Sequence, residues 1–204
     1  MGSALSFLVV EDDANVRRLL TRGLGAFGEV DAVGTFAAGK LALRARTYDA
    51  LVVDVALPDG SGLDLVDLAR KSHPGVPVLV LTGSADHQVI ARTLECGARY
   101  MLKPIDTKHL ALLADGAEQR RNARERRTNV ALARWASDYG LSETEVELLS
   151  LGARGVAREK FSSRRGVRPD TIRKQIQTLL QKTGDDTFEG AVNSLLREAV
   201  AEPT

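Results

Sequence analysis

The first 115 residues alternate short apolar runs with amphipathic stretches, and this alternation restricts the fold more than any other feature of the chain. Apolar runs of about four to eight residues bounded by turn signals are typical of buried strands in a parallel sheet. Helical patterns between such runs predict right-handed βαβ crossovers. The sequence therefore predicts strands at 6–10, 29–33, 50–54, 77–81 and 99–102, and helices at 14–26, 35–46, 61–71, 85–96 and from 105 onward.

Charged and polar residues stand where the predicted strands end: Glu11 and Asp12, Asp54, Thr82, and Lys103. The carboxyl ends of parallel strands meet at one edge of a sheet, where open α/β folds place their ligand sites. A carboxylate attacks a phosphoryl group only if the negative charges are neutralised, and Mg²⁺ held by acidic side chains supplies part of that neutralisation. Taken singly, each residue also has a structural interpretation as a turn former, a strand end or a helix cap.

In spacing and order, these residues resemble the receiver domain of two-component response regulators, over roughly residues 5 to 115. The resemblance implies an α/β, flavodoxin-like (βα)5 domain with a parallel five-stranded sheet of order 2-1-3-4-5. It implies that Asp54 accepts a phosphoryl group and that Lys103 pairs with the phosphoryl oxygens. Thr82 would hydrogen-bond the phosphoryl group, and Tyr100 would be the aromatic switch residue rather than a plain core aromatic. The implied Mg²⁺ ligands are Glu11, Asp12, Asp54 and the backbone carbonyl of Ala56.

Ala56 bears on which reaction Asp54 supports. A phosphatase-like hydrolase with Asp54 as its nucleophile usually needs a second carboxylate two residues later, and the residue there is Ala56. Ala56 also lacks a polar side chain that could orient an attacking water. The sequence therefore disfavours a hydrolase and predicts slow self-dephosphorylation.

The segment between the two halves of the chain is polar: residues 118–128 contain five arginines and no proline. We predict a solvent-exposed linker helix there, with a flexible coil as the alternative. The predicted organisation is a receiver domain at 1–116, a linker helix at 117–138 and a second domain at 139–204.

The second domain is predicted to be all-α with four helices. Ser142 and Glu145 have the spacing of a capping box, which marks the start of its first helix, ended by Gly152 or Gly155. The remaining helices are predicted at Val156 to about Arg165, Asp170–Lys182 and about Thr187–Ala201, with a turn at 166–169.

Basic residues are concentrated in one part of this domain. The net charge of the whole chain is +1, yet residues 158–182 contain eight basic and two acidic residues. A local basic surplus is typical of a nucleic-acid-binding surface, although a solvated helix face has the same composition.

The stretch from Gly155 to Gly184 resembles a LuxR-type helix-turn-helix DNA-binding domain, with a support helix, a glycine turn and a basic recognition helix. The resemblance implies base contacts from Arg173, Lys174 and Gln177, which can reach purine edges in the major groove. It implies phosphate contacts from Thr171, Gln181 and Lys182. The alternative is a small helical protein-interaction domain. The chain departs from the family pattern at Glu143 (usually Pro), Lys160 (Glu), Arg165 (Leu) and Gln175 (His).

Together the two halves resemble a complete response regulator of the NarL/LuxR type. The resemblance implies phosphoryl transfer from a sensor histidine kinase with Mg²⁺ as cofactor, then homodimerisation and binding to double-stranded DNA that regulates transcription. The chain would then be a substrate and switch, not an enzyme. The alternatives are a regulator of the same fold controlled by protein partners or a ligand without phosphorylation, and an output module for RNA or protein.

Other classes are disfavoured by composition. A single cysteine, Cys96, excludes an internal disulfide, and His73, His87 and His109 lack metal-ligand spacing. The chain lacks an apolar stretch of about 18 residues, and its first strand begins too early for a signal peptide. We therefore expect a cytoplasmic protein without membrane association.

Overall fold

The computed structural model of the chain describes residues 4–84 and 86–201. They form two compact units, which divide between Arg121 and Asn122. The predicted outer domain limits, 1 and 204, and the predicted first residue of the fourth helix, Ala85, lie outside the described residues. No helix within the described ranges is long and apolar enough to cross a membrane.

The first unit is a doubly wound α/β domain. Its strands are β1 (Leu5–Val10), β2 (Gly28–Val33), β3 (Ala50–Asp54), β4 (Ala56–Leu57), β5 (Gly60–Ser61), β6 (Val78–Thr82) and β7 (Arg99–Leu102). Its helices are α1 (Ala14–Gly25), α2 (Phe36–Ala45), α3 (Gly62–Ser72), α4 (His87–Glu95) and the first part of α5 (Thr107–Asp138). Five strands pair in parallel in the order β2-β1-β3-β6-β7, so the predicted sheet and its 2-1-3-4-5 order are confirmed.

Alternate residues of the central strands enter two separate cores. On one face of the sheet, Leu8 and Val10 pack with side chains of α2 and α3. On the other face, Phe7 and Val9 pack with side chains of α1 and α5. This period-2 alternation explains why the strands are apolar throughout, since both faces of a parallel sheet are covered by helices.

A short antiparallel hairpin, β4–β5, follows β3 and was not predicted. Two-residue strands are too short to produce an alternating pattern, but Pro58-Asp59 between them is a turn sequence. The Asp59 carboxylate accepts hydrogen bonds from the backbone N–H groups of Phe36 (2.6 Å) and Ala37 (2.9 Å) at the start of α2. The loop after Asp54 is therefore tied to the neighbouring helix.

Helix α5 is continuous over 32 residues, Thr107–Asp138. The predicted linker helix at 117–138 is its second part, and the coil alternative is wrong. Ala131, Leu132 and Trp135 near its end lie in the core of the second unit. The division between the units thus falls within α5, after Arg121, whereas the sequence places the second domain from 139 onward.

The second unit continues with α6 (Glu143–Ala153), a 3₁₀ turn (Arg158–Lys160), α7 (Phe161–Arg165), α8 (Pro169–Thr183) and α9 (Phe188–Ala201). The capping box is confirmed, since Ser142 and Glu145 hydrogen-bond each other reciprocally at the start of α6. The continuous helix predicted over 156–165 is wrong. Gly155 with φ +72° ends α6, and Ala157 has no side-chain oxygen to cap a following helix, so only the five residues of α7 are α-helical.

Candidate functional site

The residues predicted at the strand ends come together at the carboxyl edge of the sheet. Asp54 is the last residue of β3, and Glu11 follows β1, which pairs with β3. Thr82 ends β6 on the other side of Asp54, and its backbone carbonyl accepts a hydrogen bond from the N–H of Lys103. Glu11, Asp54 and Thr82 are all buried, with exposed fractions of 0%, 4% and 4%. Strand pairing alone brings residues from four strand ends into one site.

Lys103 connects the two buried carboxylates. Its Nζ lies 2.7 Å from Asp54 Oδ2 and 2.9 Å from Glu11 Oε1, and it donates a hydrogen bond to each. Glu11 Oε2 lies 2.8 Å from the same nitrogen, yet it is buried and has no hydrogen bond. One ammonium therefore serves two carboxylates, and the site has unused acceptor capacity for a cation.

Burial and hydrogen bonding act in opposite directions on the pKa of Glu11 and on the pKa of Lys103. Burial raises the pKa of Glu11, and the charge of Asp54 raises it too, while the hydrogen bond from Lys103 works against both; the net pKa is raised. For Lys103, burial lowers the pKa, but the hydrogen bonds to Asp54 and Glu11 outweigh it, so the pKa is raised. The lysine therefore stays charged.

A third carboxylate completes the acidic group. One oxygen atom each from Glu11, Asp12 and Asp54 lie within 4.8 Å of one another, with Asp12 exposed to solvent. Hard divalent cations such as Mg²⁺ prefer oxygen ligands of this kind and keep several waters, which an exposed ligand allows. The donor set and the unsatisfied Glu11 oxygen fit Mg²⁺.

Sequence reasoning missed one residue that holds the acid pair. Arg17 Nη1, on the first turns of α1, donates hydrogen bonds to the backbone carbonyls of Glu11 (2.6 Å) and Asp12 (2.9 Å). The available signal in the sequence was that Arg17 follows Asp12 by five residues and Glu11 by six, which is close enough for its side chain to reach their carbonyls. Asp13 is the N-cap of α1, and its pKa is lowered by the backbone N–H groups of Val16 and Asn15.

The other predicted members of the site have defined surroundings. The Thr82 hydroxyl donates a hydrogen bond to the carbonyl of Ser84 (2.8 Å), so it is bonded to the loop that follows β6. Tyr100 is 41% exposed, and a core aromatic is therefore the wrong interpretation. The N–H of Ala56 donates to Asp54 Oδ1 (3.2 Å), while the metal contact of its carbonyl stays a prediction.

In the second unit, α8 has one buried and one exposed side. Ile172, Ile176 and Leu179 are buried in the core. All six residues predicted to contact DNA lie on the exposed side: Thr171, Arg173, Lys174, Gln177, Gln181 and Lys182. Their roles in DNA binding stay predictions.

Two of these cations already have partners within the unit. Arg173 Nη1 lies 2.8 Å from the exposed carboxylate of Asp170, one turn earlier on α8. Lys182 Nζ lies 2.7 Å from the buried carboxylate of Glu145 and donates to the carbonyl of Gly140 (2.9 Å). Lys182 thus ties the end of α8 to the start of α6, a role that the sequence did not indicate.

The fold and the acidic site define a receiver. A family model described as the response regulator receiver domain matches residues 7–115, so the chain belongs to the response regulators. The chain is 30% identical over 190 residues to the DNA-binding transcriptional activator DevR/DosR of Mycobacterium tuberculosis, covering 86% of this chain and 87% of the relative. It is 36% identical over 120 residues to the photosynthetic apparatus regulatory protein RegA of Rhodovulum sulfidophilum, covering 57% of this chain and 66% of RegA.

Solved structures give the same classification. The BeF3-activated DrrB receiver domain matches 56% of this chain and 98% of its own, with a TM-score of 0.51 and 28% identity. Full-length FixJ from B. japonicum matches 99% of this chain with a TM-score of 0.51 at 22% identity, a likeness of fold alone.

Proposed function

We propose that the chain is a phosphorylation-controlled DNA-binding transcription regulator with a LuxR/NarL-type output domain. The observation that carries this proposal is the single ammonium of Lys103 between the buried carboxylates of Asp54 and Glu11. That arrangement places a nucleophilic carboxylate beside a cation that can bind the negative charge of an added phosphoryl group. The match of 86% of this chain to a DNA-binding transcriptional activator supports the output half.

In the proposed reaction, an Asp54 carboxylate oxygen attacks the phosphoryl group carried by a histidine of a sensor kinase. The O–P bond of an acyl phosphate forms as the N–P bond of phosphohistidine breaks, and the kinase histidine leaves. Lys103 then hydrogen-bonds the phosphoryl oxygens, and the Thr82 hydroxyl turns from Ser84 toward them. Glu11, Asp12, Asp54 and the Ala56 carbonyl would hold Mg²⁺, which when bound neutralises negative charge. The chain is a substrate of the kinase rather than an enzyme.

Phosphorylation adds negative charge and hydrogen-bond acceptors at Asp54. Movement of Thr82 and of the exposed Tyr100 carries that change to the outer face of the receiver, where it favours a homodimer. In the dimer, each α8 enters the major groove of double-stranded DNA through Arg173, Lys174 and Gln177. Pairing two small domains doubles their contacts to phosphate.

The proposal is tested by incubating the full chain with acetyl phosphate and MgCl₂, then measuring intact mass and sizing-column elution. The matched variants are Asp54→Asn and, as a control, Asp115→Asn, which removes an exposed carboxylate on α5. We expect wild type and the control to gain one phosphoryl mass and to elute earlier, and Asp54→Asn to do neither. A wild type that gains no mass would indicate a regulator of the same fold controlled by protein partners.

The lifetime of the acyl phosphate tests the role of Ala56. With no polar side chain there, we expect slow self-dephosphorylation, and Ala56→Asn should hydrolyse faster because its amide can orient a water. A wild-type half-life of seconds would contradict this prediction.

A further inference from the structure

Arg165, the last residue of α7, bonds three side chains on two other helices of the second unit through its guanidinium group. Its Nε donates to Glu147 Oε2 (2.8 Å) and its Nη2 to Thr144 Oγ1 (3.3 Å), both on α6. Its Nη1 donates to Gln175 Oε1 (2.8 Å) on α8. We call these four residues the Arg165 cluster.

Within the Arg165 cluster the arginine is largely buried, although the carboxylate of Glu147 is exposed. The Arg165 side chain is 13% exposed, and a charged group that far from water needs hydrogen-bonded partners. A guanidinium group is planar, so its donors point in fixed directions and bind partners only at set positions. Helix α7 has only five residues and no side-chain cap, so its own hydrogen bonds hold it weakly. Its position therefore depends on contacts with α6 and α8.

Gln175 links this cluster to the surface proposed to read DNA. It lies within the same turn of α8 as Arg173, Lys174 and Gln177, beside the buried Ile176. A rotation of α8 about its axis would carry the side chains on its exposed side out of register with the bases. Arg165 on α7 bonds both α6 and Gln175, so its hydrogen bond to Gln175 opposes that rotation.

We propose that Arg165 is a positioning residue for sequence discrimination: it fixes the rotation of α8 against α6 and does not itself contact DNA. This inference rests on the proposed DNA-binding function. It predicts that losing the Arg165 cluster lowers the preference for one sequence more than it lowers binding to DNA in general.

The experiment compares two variants that break the cluster, Arg165→Met and Gln175→Leu, with Gln175→Glu, which keeps an acceptor. Arg197→Met is the matched control, since it removes an exposed arginine that donates a hydrogen bond to Ser194 on the same helix, α9. The probes are a duplex enriched by the acetyl phosphate-treated wild-type chain from a randomised pool, and poly(dI-dC). Affinities for both are measured over a range of KCl concentrations.

For Arg165→Met and Gln175→Leu, we expect the ratio of the two affinities to fall about tenfold, since one base contact discriminates by roughly that factor. The slope of log affinity against log salt should stay unchanged, and Gln175→Glu and Arg197→Met should behave as wild type. An unchanged ratio would overturn the inference. So would an equal loss on both duplexes with a slope smaller by about 0.9, because that is the effect of one lost phosphate contact.

Hydrogen exchange of the full chain without DNA separates this inference from the proposed function. Loss of the Arg165 cluster should speed amide exchange in α8 relative to α9, and equal rates would overturn the inference. A wild type that enriches no duplex would refute the proposed function, while exchange in α8 would still decide whether Arg165 holds this helix. Trp135 fluorescence during thermal unfolding identifies a variant that fails to fold. If Arg165→Met does not fold, the inference is tested with Gln175→Leu alone.

Discussion

Replacing Lys103 by Met removes the only ammonium that contacts Glu11 and Asp54 among the described residues. The two carboxylate side chains are 0% and 5% exposed, and the lysine side chain is 25% exposed. Methionine has similar length and fills the same space, so the change is mainly one of charge. We expect the first unit of the metal-free protein to lose stability.

The size of the effect follows from the burial of the three groups. Removing one partner of a buried ion pair costs about 3–5 kcal/mol, because the remaining charge is left uncompensated. The quarter-exposed lysine shares its charge with water, which reduces the loss, and we expect the free energy of unfolding to fall by about 2–4 kcal/mol. Saturating MgCl₂ should narrow the difference, because the acidic site without the Lys103 ammonium binds the cation more tightly and gains more stability from it.

The assay is urea unfolding of the full chain, followed by far-UV circular dichroism. The single tryptophan, Trp135, lies in the core of the second unit, so its fluorescence gives an internal control that should not shift. Lys108→Met, which removes an exposed lysine on α5, is the charge-matched control.

A pH series gives an independent check through Glu11. The hydrogen bond from Lys103 lowers the pKa of Glu11 against the effect of burial, so its loss raises that pKa further. A carboxyl group whose folded-state pKa is raised contributes stability to the folded protein. That stability is fully present below the unfolded value of 4.5 and is lost as the pH rises through the folded value. The deficit of Lys103→Met should therefore shrink as the pH falls toward 4.5. Equal stability of variant and wild type at neutral pH without Mg²⁺ would refute the reasoning.

Three further predictions concern other groups. Burial raises the pKa of Glu145, but the hydrogen bond from Lys182 helps to outweigh burial, and the net pKa is lowered. The ionised Glu145 therefore contributes stability that is present above the unfolded value of 4.5 and is lost as the pH falls through the folded value. Acid unfolding of the second unit, followed by tryptophan fluorescence, should thus depend less on pH in Glu145→Gln, and an unchanged profile would contradict this. Burial and a hydrogen bond to a carboxylate raise the pKa of Tyr48 to about 12, so the difference in ultraviolet absorbance between wild type and Tyr48→Phe should develop near pH 12, and a difference that is complete near about pH 10 would contradict this. A Cβ at Gly62 would lie 1.8 Å from the backbone carbonyl oxygen of Asp54, so Gly62→Ala should destabilise the first unit, whereas Gly116→Ala in α5 meets nothing within 4 Å and should add about 0.5–1 kcal/mol in urea unfolding.

Contacts close in the sequence were predictable from local pattern. The capping box of Ser142 and Glu145 needs only a spacing of three residues, and the structure has it. The hairpin at 56–61 and the two-part form of 156–165 were missed because two-residue strands and a five-residue helix leave no periodic signal.

Contacts between distant residues were not predictable in this way. Asp59 caps α2 across 22 to 23 residues, Arg165 reaches Glu147 across 18, and Lys182 reaches Glu145 across 37. Any of these charged side chains could equally have been solvated, because composition does not say which partner lies within hydrogen-bonding distance.

The sequence by itself determined the parallel sheet and the set of residues at its carboxyl edge, while the strand order followed from the resemblance to receiver domains. Apolar runs must be buried and parallel strands must be joined by crossovers. The charged and polar residues at the strand ends therefore meet at one edge of the sheet when the sheet forms. Only the tertiary structure decided that one ammonium, Lys103, contacts both Glu11 and Asp54, and that Arg165 hydrogen-bonds Gln175 on α8. Those choices depend on directions and distances of a few ångströms between side chains, which packing sets and linear order does not record.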